Sequence, residues 1–369
     1  MTATEKLPAT SPRFVSLDFM RGFIMVLLAL ESTLLYEHME KATEHTFLQP
    51  LVEQFFHHPW HGLRFWDLVQ PAFMFIAGTA MAFSLQKQRE RGVSWNKSFR
   101  KVLIRCFWLF FWGVLNYAVK RNGLSFELWN VLTQLAFTTL VAILIFYWPY
   151  KWQIVFSIGI LLLTEVLYRY THVPGFDQPF TDQHNFGNYV DLQLMNTINK
   201  GGWVAINCIP TAIHTIAGAM VGRLLLNSKN KMKLLIIWTA VCLMTGYLLD
   251  FSGITPIIKR ISTTSFTLVT LGWCLLTIAL IYWWIDMKNH KKHLAFVTIV
   301  GMNSLFIYLF FEIVAARWFN GYIGTITNTL MGYLSVPEMA KLIITSLIIF
   351  GLEWYLCYFL YKKKIFFKL

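Results

Sequence analysis

Charge is scarce in this sequence. Only 14% of its 369 residues are charged, whereas 56% are hydrophobic and 17% are aromatic. A soluble domain usually has about a quarter charged residues, so the composition excludes an ordinary soluble protein. Short segments of alternating polar and apolar residues, which would indicate a membrane β-barrel, are also missing. The fold class expected is therefore all-α, a polytopic bundle of membrane helices.

Several other signals are absent. The five cysteines form no close pairs, which excludes a disulfide or zinc framework and predicts buried thiols. The first 15 residues contain no apolar core, so no cleaved signal peptide is expected. The Asp and His residues of 171–203 match no metal-ligand spacing, and no metal is expected. No repeat or linker divides the chain, so residues 1–369 are predicted to form a single domain.

The apolar residues fall in about ten blocks of roughly 17 to 24 residues, the length that a helix needs to cross a membrane. A segment of about 171–203, rich in polar residues, is predicted to be the longest loop outside the membrane. The predicted spans are approximately 20–36, 65–85, 102–119, 129–147, 152–170, 204–225, 233–250, 266–286, 295–316 and 339–361.

Basic residues outnumber acidic ones, 32 to 19, and give a net charge of +13. Most of the Lys and Arg lie in alternate connecting segments, which the positive-inside rule places in the cytoplasm together with both termini. The positive charge is therefore interpreted as a topology signal and not as a nucleic-acid binding site. The predicted location is the cell's inner (cytoplasmic) membrane. The densest basic segment, 87–105, is interpreted either as an anchor that faces anionic lipid or as a site for a phosphorylated cofactor.

Polar groups inside apolar spans are costly, and by default they mark a site. Asp18 and Arg21 are three residues apart, on one face of a helix, and are expected to pair. His214 lies in the middle of the sixth span, where it is either a satisfied structural group or part of a polar cavity. Asn303 in the ninth span is either packing glue between helices or a site residue. Glu312 is also within a predicted span.

The stretch from His57 to Gly78, HHPWHGLRFWDLVQPAFMFIAG, places three imidazoles at the mouth of an apolar run. Pro59 disfavours helix at His58, so the histidines are expected on a turn at the outer membrane boundary. A neutral imidazole, with a pKa of about 6.5, can accept a proton from an amine or hydroxyl, or can attack a thioester. Asp67 or Glu31 could orient such a ring. The alternative is that all three histidines are interfacial aromatic residues.

Three stretches together resemble the heparan-alpha-glucosaminide N-acetyltransferase family of transmembrane acyltransferases. They are RFVSLDFMRG at 13–22, the His57–Gly78 block, and GMNSLFIY at 301–308. The family shows an H-x-x-W-[HN]-G-x-x-x-x-D-L-[VI]-x-P block, which the second stretch matches from His57 to Pro71. The resemblance implies that acetyl-CoA, as co-substrate on the cytoplasmic side, supplies an acetyl group to an amino sugar or glycan hydroxyl outside.

The resemblance also implies site residues. The histidine of H-x-x-W, the catalytic residue of the family, falls on His57, with His58 and His61 as rivals and Asp67 as a catalytic partner. The expected donor-binding residues are Asp18, Arg21, Glu31, Ser32, His214 and Asn303. The chain departs from the family pattern at Ser32, where the family has Asn, at Gln134, where an adjacent arginine is lost, and at Gly201.

Two other functions remain open. A proton-coupled secondary transporter would use His57, Asp67, His214 and Glu312 as its path, but it predicts internal repeats with broken helices, which the sequence lacks. A catalytically idle relative would act as a partner in glycan assembly. The expected partners are membrane lipid and a glycan or amino-sugar acceptor, and a homodimer is left open.

Overall fold

The computed structural model describes residues 14–120, 123–228 and 230–367, and almost all of the regular secondary structure in this part of the chain is helical. Two short strands, β1 (Val119–Lys120) and β2 (Gly123–Leu124), pair antiparallel. The prediction of an all-α protein is confirmed. The helices are α1 (Val15–Ser32), α2 (Leu35–Thr43), α3 (Gln49–Val52), α4 (Val69–Glu90), α5 (Trp95–Ala118), α6 (Val131–Leu144), α7 (Tyr150–Tyr170), α8 (Phe186–Met195), α9 (Cys208–Asn227), α10 (Lys231–Phe251), α11 (Thr264–Ile281), α12 (Ala295–Met302), α13 (Ser304–Leu309), α14 (Asn320–Tyr333) and α15 (Glu338–Lys362).

Five short segments of other helical geometry extend or join these helices. They are the 3₁₀ turns Glu53–Phe55, Phe65–Leu68 and Ala205–Asn207 and the π-helical segments Tyr282–Met287 and Phe310–Phe319. Among the described residues, six helical segments are long and apolar enough to cross a membrane. Two further helix pairs, α1 with α2 and α12 with 304–333, are long and apolar enough when each pair is taken as one segment, and they bend by 67° and 77°. The described residues therefore contain six such segments, or eight with the bent pairs, which confirms a polytopic helical bundle.

The helix boundaries follow local chemistry. The Asn130 side chain accepts hydrogen bonds from two backbone N–H groups of the first turn of α6, and Thr263 caps the start of α11 in the same way. Such caps satisfy N–H groups that have no partner within a helix. The first predicted span, 20–36, instead ends at Ser32, because Leu34 adopts a left-handed conformation with φ of 61° before α2 begins.

The centre of the bundle is the crossing of α4 and α9. A Cβ atom added at Gly78 of α4 would collide with the Thr215 carbonyl, and one at Gly218 of α9 would collide with the Phe75 carbonyl. Glycine thus allows the two backbones to touch, as is common where membrane helices pack. The five cysteines are free thiols, four of them buried in the bundle.

Candidate functional site

Two connecting segments meet at one end of the bundle, here called the His57 end. The first is 56–64, which precedes α4, and the second is 252–263, which joins α10 to α11. Gly62 N–H donates to the Ile257 carbonyl at 2.9 Å, and His61 pairs with Ile258 as an antiparallel bridge. Gly62 has a φ of +144°, a conformation that favours glycine. The bridge therefore brings residues near 259 next to His57.

Asp67 is a buried carboxylate at the His57 end, and it binds the loop that contains His57. Its side chain has 0% exposure, and one carboxylate oxygen accepts the backbone N–H groups of Arg64, at 2.9 Å, and His58, at 3.2 Å. The other oxygen lies 3.1 Å from Nδ1 of His57. The carboxylate thus fixes both the backbone of the histidine loop and the orientation of the His57 ring. The prediction that Asp67 could orient this imidazole agrees with that geometry.

Lys259 lies between these two side chains. Its Nζ is 2.9 Å from Nδ1 of His57 and 3.5 Å from Oδ1 of Asp67, and its side chain is only 4% exposed. The ammonium also sits over the Trp203 ring, 5.5 Å from the centroid. Burial lowers the pKa of Lys259 to about 8, although the Asp67 carboxylate opposes that shift. Near neutral pH this lysine is therefore mostly, but not completely, protonated.

The arrangement allows two patterns of hydrogen bonds at Nδ1 of His57. A charged Lys259 donates to Nδ1, because an ammonium has no acceptor, and the ring proton is then on Nε2. A neutral Lys259 lets Nδ1–H donate to Asp67 and leaves the lone pair of Nε2 free. Burial, followed by the Lys259 charge, lowers the pKa of His57, so the ring is neutral at pH 7. Loss of the Lys259 proton thus converts His57 into the tautomer that can act as a base.

Aromatic and polar side chains surround the partly exposed His57 ring. Trp203 meets it edge to face, with ring centroids 5.6 Å apart. Next to Trp203, Gly202 lies against Trp60 and Asp182, so the loop 171–203 closes over the histidine segment. Oδ1 of Asp182 is buried and has no hydrogen-bond partner among the described residues. The loop 171–203 is thus part of the site.

A network of polar side chains runs from the loop 171–203, at Gly201, into the bundle. Arg260 donates to the Gly201 carbonyl, and its own carbonyl accepts a hydrogen bond from the Asn207 amide at 3.1 Å. Gln134 donates to Asn207 at 2.7 Å and accepts from Gln70. Nε of Arg260 is buried and has no partner within the described part of the chain. Two positions that depart from the family pattern, Gln134 and Gly201, therefore lie in one network, around an arginine from a different segment.

Glu31 and Ser32 lie near the His57 end of α1. The Glu31 carboxylate accepts from Nε1 of Trp66, at 3.1 Å, and Trp66 is the residue before Asp67. The Ser32 hydroxyl donates to the Ala29 carbonyl within its own helix, while the Ser32 carbonyl accepts from the Asn320 amide. Glu31 is thus one residue away from the His57 group, and Ser32 joins α1 to α14.

Asp18, Arg21 and Asn303 lie at the other end of the bundle, where α1 packs against α12 and α13. Asp18 and Arg21 form the predicted ion pair, at 2.9 Å. The Asn303 side chain donates to the Ile365 carbonyl and accepts from Phe367 N–H, both at 3.0 Å. Asn303 therefore binds the C-terminal segment at the 77° bend between α12 and α13.

The structure separates two other predicted residues from His57. His61 is exposed, and its Nε2 is 2.8 Å from Asp250, a different carboxylate. His214 is fully buried in α9, where Nε2 is 2.9 Å from the Thr270 hydroxyl and Nδ1 is 3.3 Å from the Thr211 carbonyl. Both ring nitrogens of His214 thus have partners inside the bundle. This favours the alternative in which His214 is a satisfied structural group.

Comparison with known families places the site in context. A family model described as "Domain of unknown function (DUF5009)" matches residues 13–199, half of the chain. The chain belongs to the DUF5009 family. The matched residues include His57 and Asp67 but end before Lys259. A search of the curated proteins finds no match to this chain. The description of the DUF5009 family states no activity, so function has to be argued from the site.

Sequence reasoning missed Lys259, Arg260 and Trp203 as site residues. A signal for the first two was present, because a Lys–Arg pair stands in a segment that the positive-inside rule places outside, where basic residues are disfavoured. Trp203 offered no such signal, since tryptophan is common at membrane interfaces for structural reasons.

Proposed function

We propose that this protein is a transmembrane acyltransferase that moves an acetyl group from cytoplasmic acetyl-CoA to an amino sugar or glycan hydroxyl on the outer side of the inner membrane. The proposal includes the finer topology, ten spans with both termini in the cytoplasm. One observation carries it: the partly exposed His57 ring is hydrogen-bonded to the buried Asp67 carboxylate at one end of a membrane bundle. An imidazole oriented by a carboxylate is the usual arrangement of a general base in acyl transfer.

The chemistry follows from the hydrogen bonds of the ring. With Nδ1–H held by Asp67, Nε2 of His57 takes the proton of the acceptor amine or hydroxyl as the acceptor attacks the acetyl carbonyl. The C–S bond then breaks, and the leaving thiolate of coenzyme A takes up a proton. In the second route Nε2 itself attacks the thioester, forms acetyl-histidine with release of the thiolate, and passes the acetyl group to the acceptor. Asp67 stabilises the imidazolium in both routes.

Lys259 has a positioning role in this scheme. While it is charged, it holds Nδ1 as an acceptor and keeps the proton on Nε2, which blocks both routes. Because burial lowers the pKa of Lys259 to about 8, its neutral amine is far more populated near neutral pH than that of an exposed lysine. The active tautomer of His57 is therefore accessible near neutral pH and is favoured as the pH rises.

The donor side is assigned to the opposite end of α1. Asp18 and Arg21 are separated from Glu31 by about 20 Å and about 15 Å of helix, at 1.5 Å per residue. Basic residues of 87–105 lie at the same end as Asp18, where Arg side chains can bind phosphates in a bidentate manner. A donor bound there has to extend its acetyl group through the bundle to reach His57.

The acceptor side is assigned to the surface around Trp60 and Trp203. Indole rings next to a buried carboxylate oxygen, that of Asp182, suit a sugar that has one apolar face and an amino group. The unpartnered Nε of Arg260 suits a carbonyl or carboxylate oxygen of the same ligand. These groups support a glycan acceptor over a small ion.

The test compares His57→Ala with His61→Ala in the full-length protein, reconstituted in vesicles that contain an amino-sugar acceptor. Acetyl-CoA labelled in the acetyl group is supplied on one side, and labelled acceptor is measured on the other. We expect His57→Ala to lower labelling by about 10² to 10⁴, while His61→Ala, whose ring contacts Asp250 instead, retains most of it. Equal labelling by the wild type and His57→Ala would overturn the assignment, and acid-quenched mass spectrometry for acetyl on His57 separates the two routes.

A further inference from the structure

A cavity of about 800 Å³ lies between four helices, α7, α9, α10 and α11, away from the His57 group. Its volume is in the range of ligand sites in proteins, about 300–1,000 Å³. Helix α10 packs against α11, and the cavity lies between α10 on one side and α7 and α9 on the other. Neither His57 nor Asp67 nor Lys259 lines it. The cavity is thus a site separate from the proposed active site.

The lining is apolar along almost its whole length. Residues such as Leu162, Ala217 and Leu271 line it. The lined part of α9 runs from Ile213 to Asn227, which corresponds to about 21 Å at 1.5 Å per residue. Some lining side chains, such as those of Ile158 and Leu162, are also exposed on the outside of the bundle. A hydrocarbon chain is the occupant that this lining favours inside a membrane.

One end of the cavity is polar. Arg223 is the one charged residue among those that line it, and Asn227 and Ser228 lie beside it. Nη1 of Arg223 donates to the Phe146 carbonyl at 2.6 Å and to the Trp148 carbonyl at 3.3 Å, and the guanidinium stacks on Tyr150, 4.6 Å from the ring centroid. Nη2 and Nε have no hydrogen bond within the described residues, so three N–H groups of a fixed guanidinium remain for an anion.

This polar end is opposite to the His57 end, since α9 begins beside Arg260 and ends at Asn227. Lys151, Lys231 and Lys233 lie at the same level, which the positive-inside rule assigns to the cytoplasmic leaflet. We infer that the cavity binds one anionic phospholipid of that leaflet, with an acyl chain between α9 and α10 and its phosphate on Arg223. A coenzyme A donor, which has several phosphates, fits less well, because Arg223 is the one charged residue among those that line the cavity.

The experiment measures lipid retention by the full-length protein after reconstitution in vesicles of equal parts phosphatidylglycerol and phosphatidylcholine. The protein is extracted in mild detergent, and its bound lipid is counted by native mass spectrometry. We expect one phosphatidylglycerol to be retained per wild-type chain, and Arg223→Gln to weaken its binding about tenfold, the loss of one charged hydrogen-bonded contact. Ala217→Phe, which fills the cavity, should remove the lipid altogether.

Two variants serve as controls. Lys151→Gln removes an exposed cation at the same end, and Val155→Phe adds bulk on a face of α7 that does not line the cavity. Both should retain the lipid. Equal retention by Arg223→Gln and the wild type, equal loss in Lys151→Gln, or displacement of the lipid by acetyl-CoA would overturn the inference. Arg223→Gln and the acetyl-CoA competition still decide the question if Ala217→Phe fails to fold, and neither result depends on acyltransferase activity.

Discussion

Removal of the Asp67 charge should destabilise the protein mainly through Lys259. In the Asp67→Asn variant the lysine side chain, 4% exposed, keeps its position but loses its counter-charge. The amide also accepts fewer of the hydrogen bonds that the carboxylate now receives from His57, His58 and Arg64. The variant therefore leaves a buried cation without compensation, which is costly in a protein interior.

The magnitude follows from the distance. At 3.5 Å, two unit charges interact by about 5 kcal/mol at an effective dielectric constant of about 20. Breaking one partner of a buried pair typically costs about 3–5 kcal/mol. Lys259→Met should cost less, about 1–2 kcal/mol, because Asp67 keeps the backbone N–H groups of His58 and Arg64, and Nδ1–H of His57 can then also donate to it. The double variant should be more stable than Asp67→Asn alone, since the isolated ammonium is then gone.

The assay is a double-mutant cycle. The free energy of unfolding is measured by tryptophan fluorescence in mixed micelles of a mild detergent and dodecyl sulfate, for the wild type, both single variants and the double variant. We expect a coupling energy of at least about 2 kcal/mol between Asp67 and Lys259, which exceeds what non-contacting sites show.

The control cycle uses Glu338 and Lys341, a pair at 3.3 Å with Glu338 74% exposed. Exposed pairs of this type contribute about 0.2–1 kcal/mol. A coupling energy for Asp67 and Lys259 that is no larger than that of the control pair would refute the reasoning. The two side chains would then not be in contact in the folded protein.

Three further predictions concern other parts of the molecule. Burial lowers the pKa of Lys259 to about 8 from an ordinary 10.5, so the unfolded state binds more protons than the folded state between these two pH values. The free energy of unfolding should therefore rise with pH across this window, by up to about 3 kcal/mol. Unfolding curves measured over a pH series would contradict this if Lys259→Met showed the same rise. Gly218→Ala pushes a methyl group into the Phe75 carbonyl and should cost about 1–3 kcal/mol, measured as above, whereas Gly351→Ala, which meets open space, should be neutral. Asn303→Leu removes both hydrogen bonds to the C-terminal segment, so amide exchange of 365–367 should accelerate, and unchanged exchange would count against that contact.

Much of the fold could be predicted from the sequence, because a membrane restricts the backbone to helices of a defined length. Each of the ten predicted spans overlaps a helix of the structure. The breaks were harder to predict. Leu34 turns the chain without glycine or proline, and the 77° bend at Asn303 depends on contacts with the C-terminal segment. Such conformations are imposed by packing and leave little local signal.

The candidate site also contains residues that the sequence indicates and residues that it does not. His57 and Asp67 are ten residues apart in one motif, so a single segment of the sequence indicates both. Lys259 comes from a segment 202 positions away from His57, and only the bridge between Gly62 and Ile257 places it there. His61 and His214 have the residue type that the chemistry needs, but each is bound by partners of its own. Residue type alone does not identify which histidine is the proposed catalytic base.

The position of Lys259 is not explained by stability. Asp67 already accepts the backbone N–H groups of His58 and Arg64, and replacing a buried ion pair with apolar groups is often neutral or stabilising. A lysine that only balanced Asp67 would have no reason to approach Nδ1 of His57 more closely than the carboxylate, yet the distances are 2.9 Å and 3.5 Å. Contact with Nδ1 gives Lys259 control over which ring nitrogen holds the proton. The site therefore places a lysine whose pKa is lowered by burial next to the ring nitrogen that sets the tautomer of the proposed base.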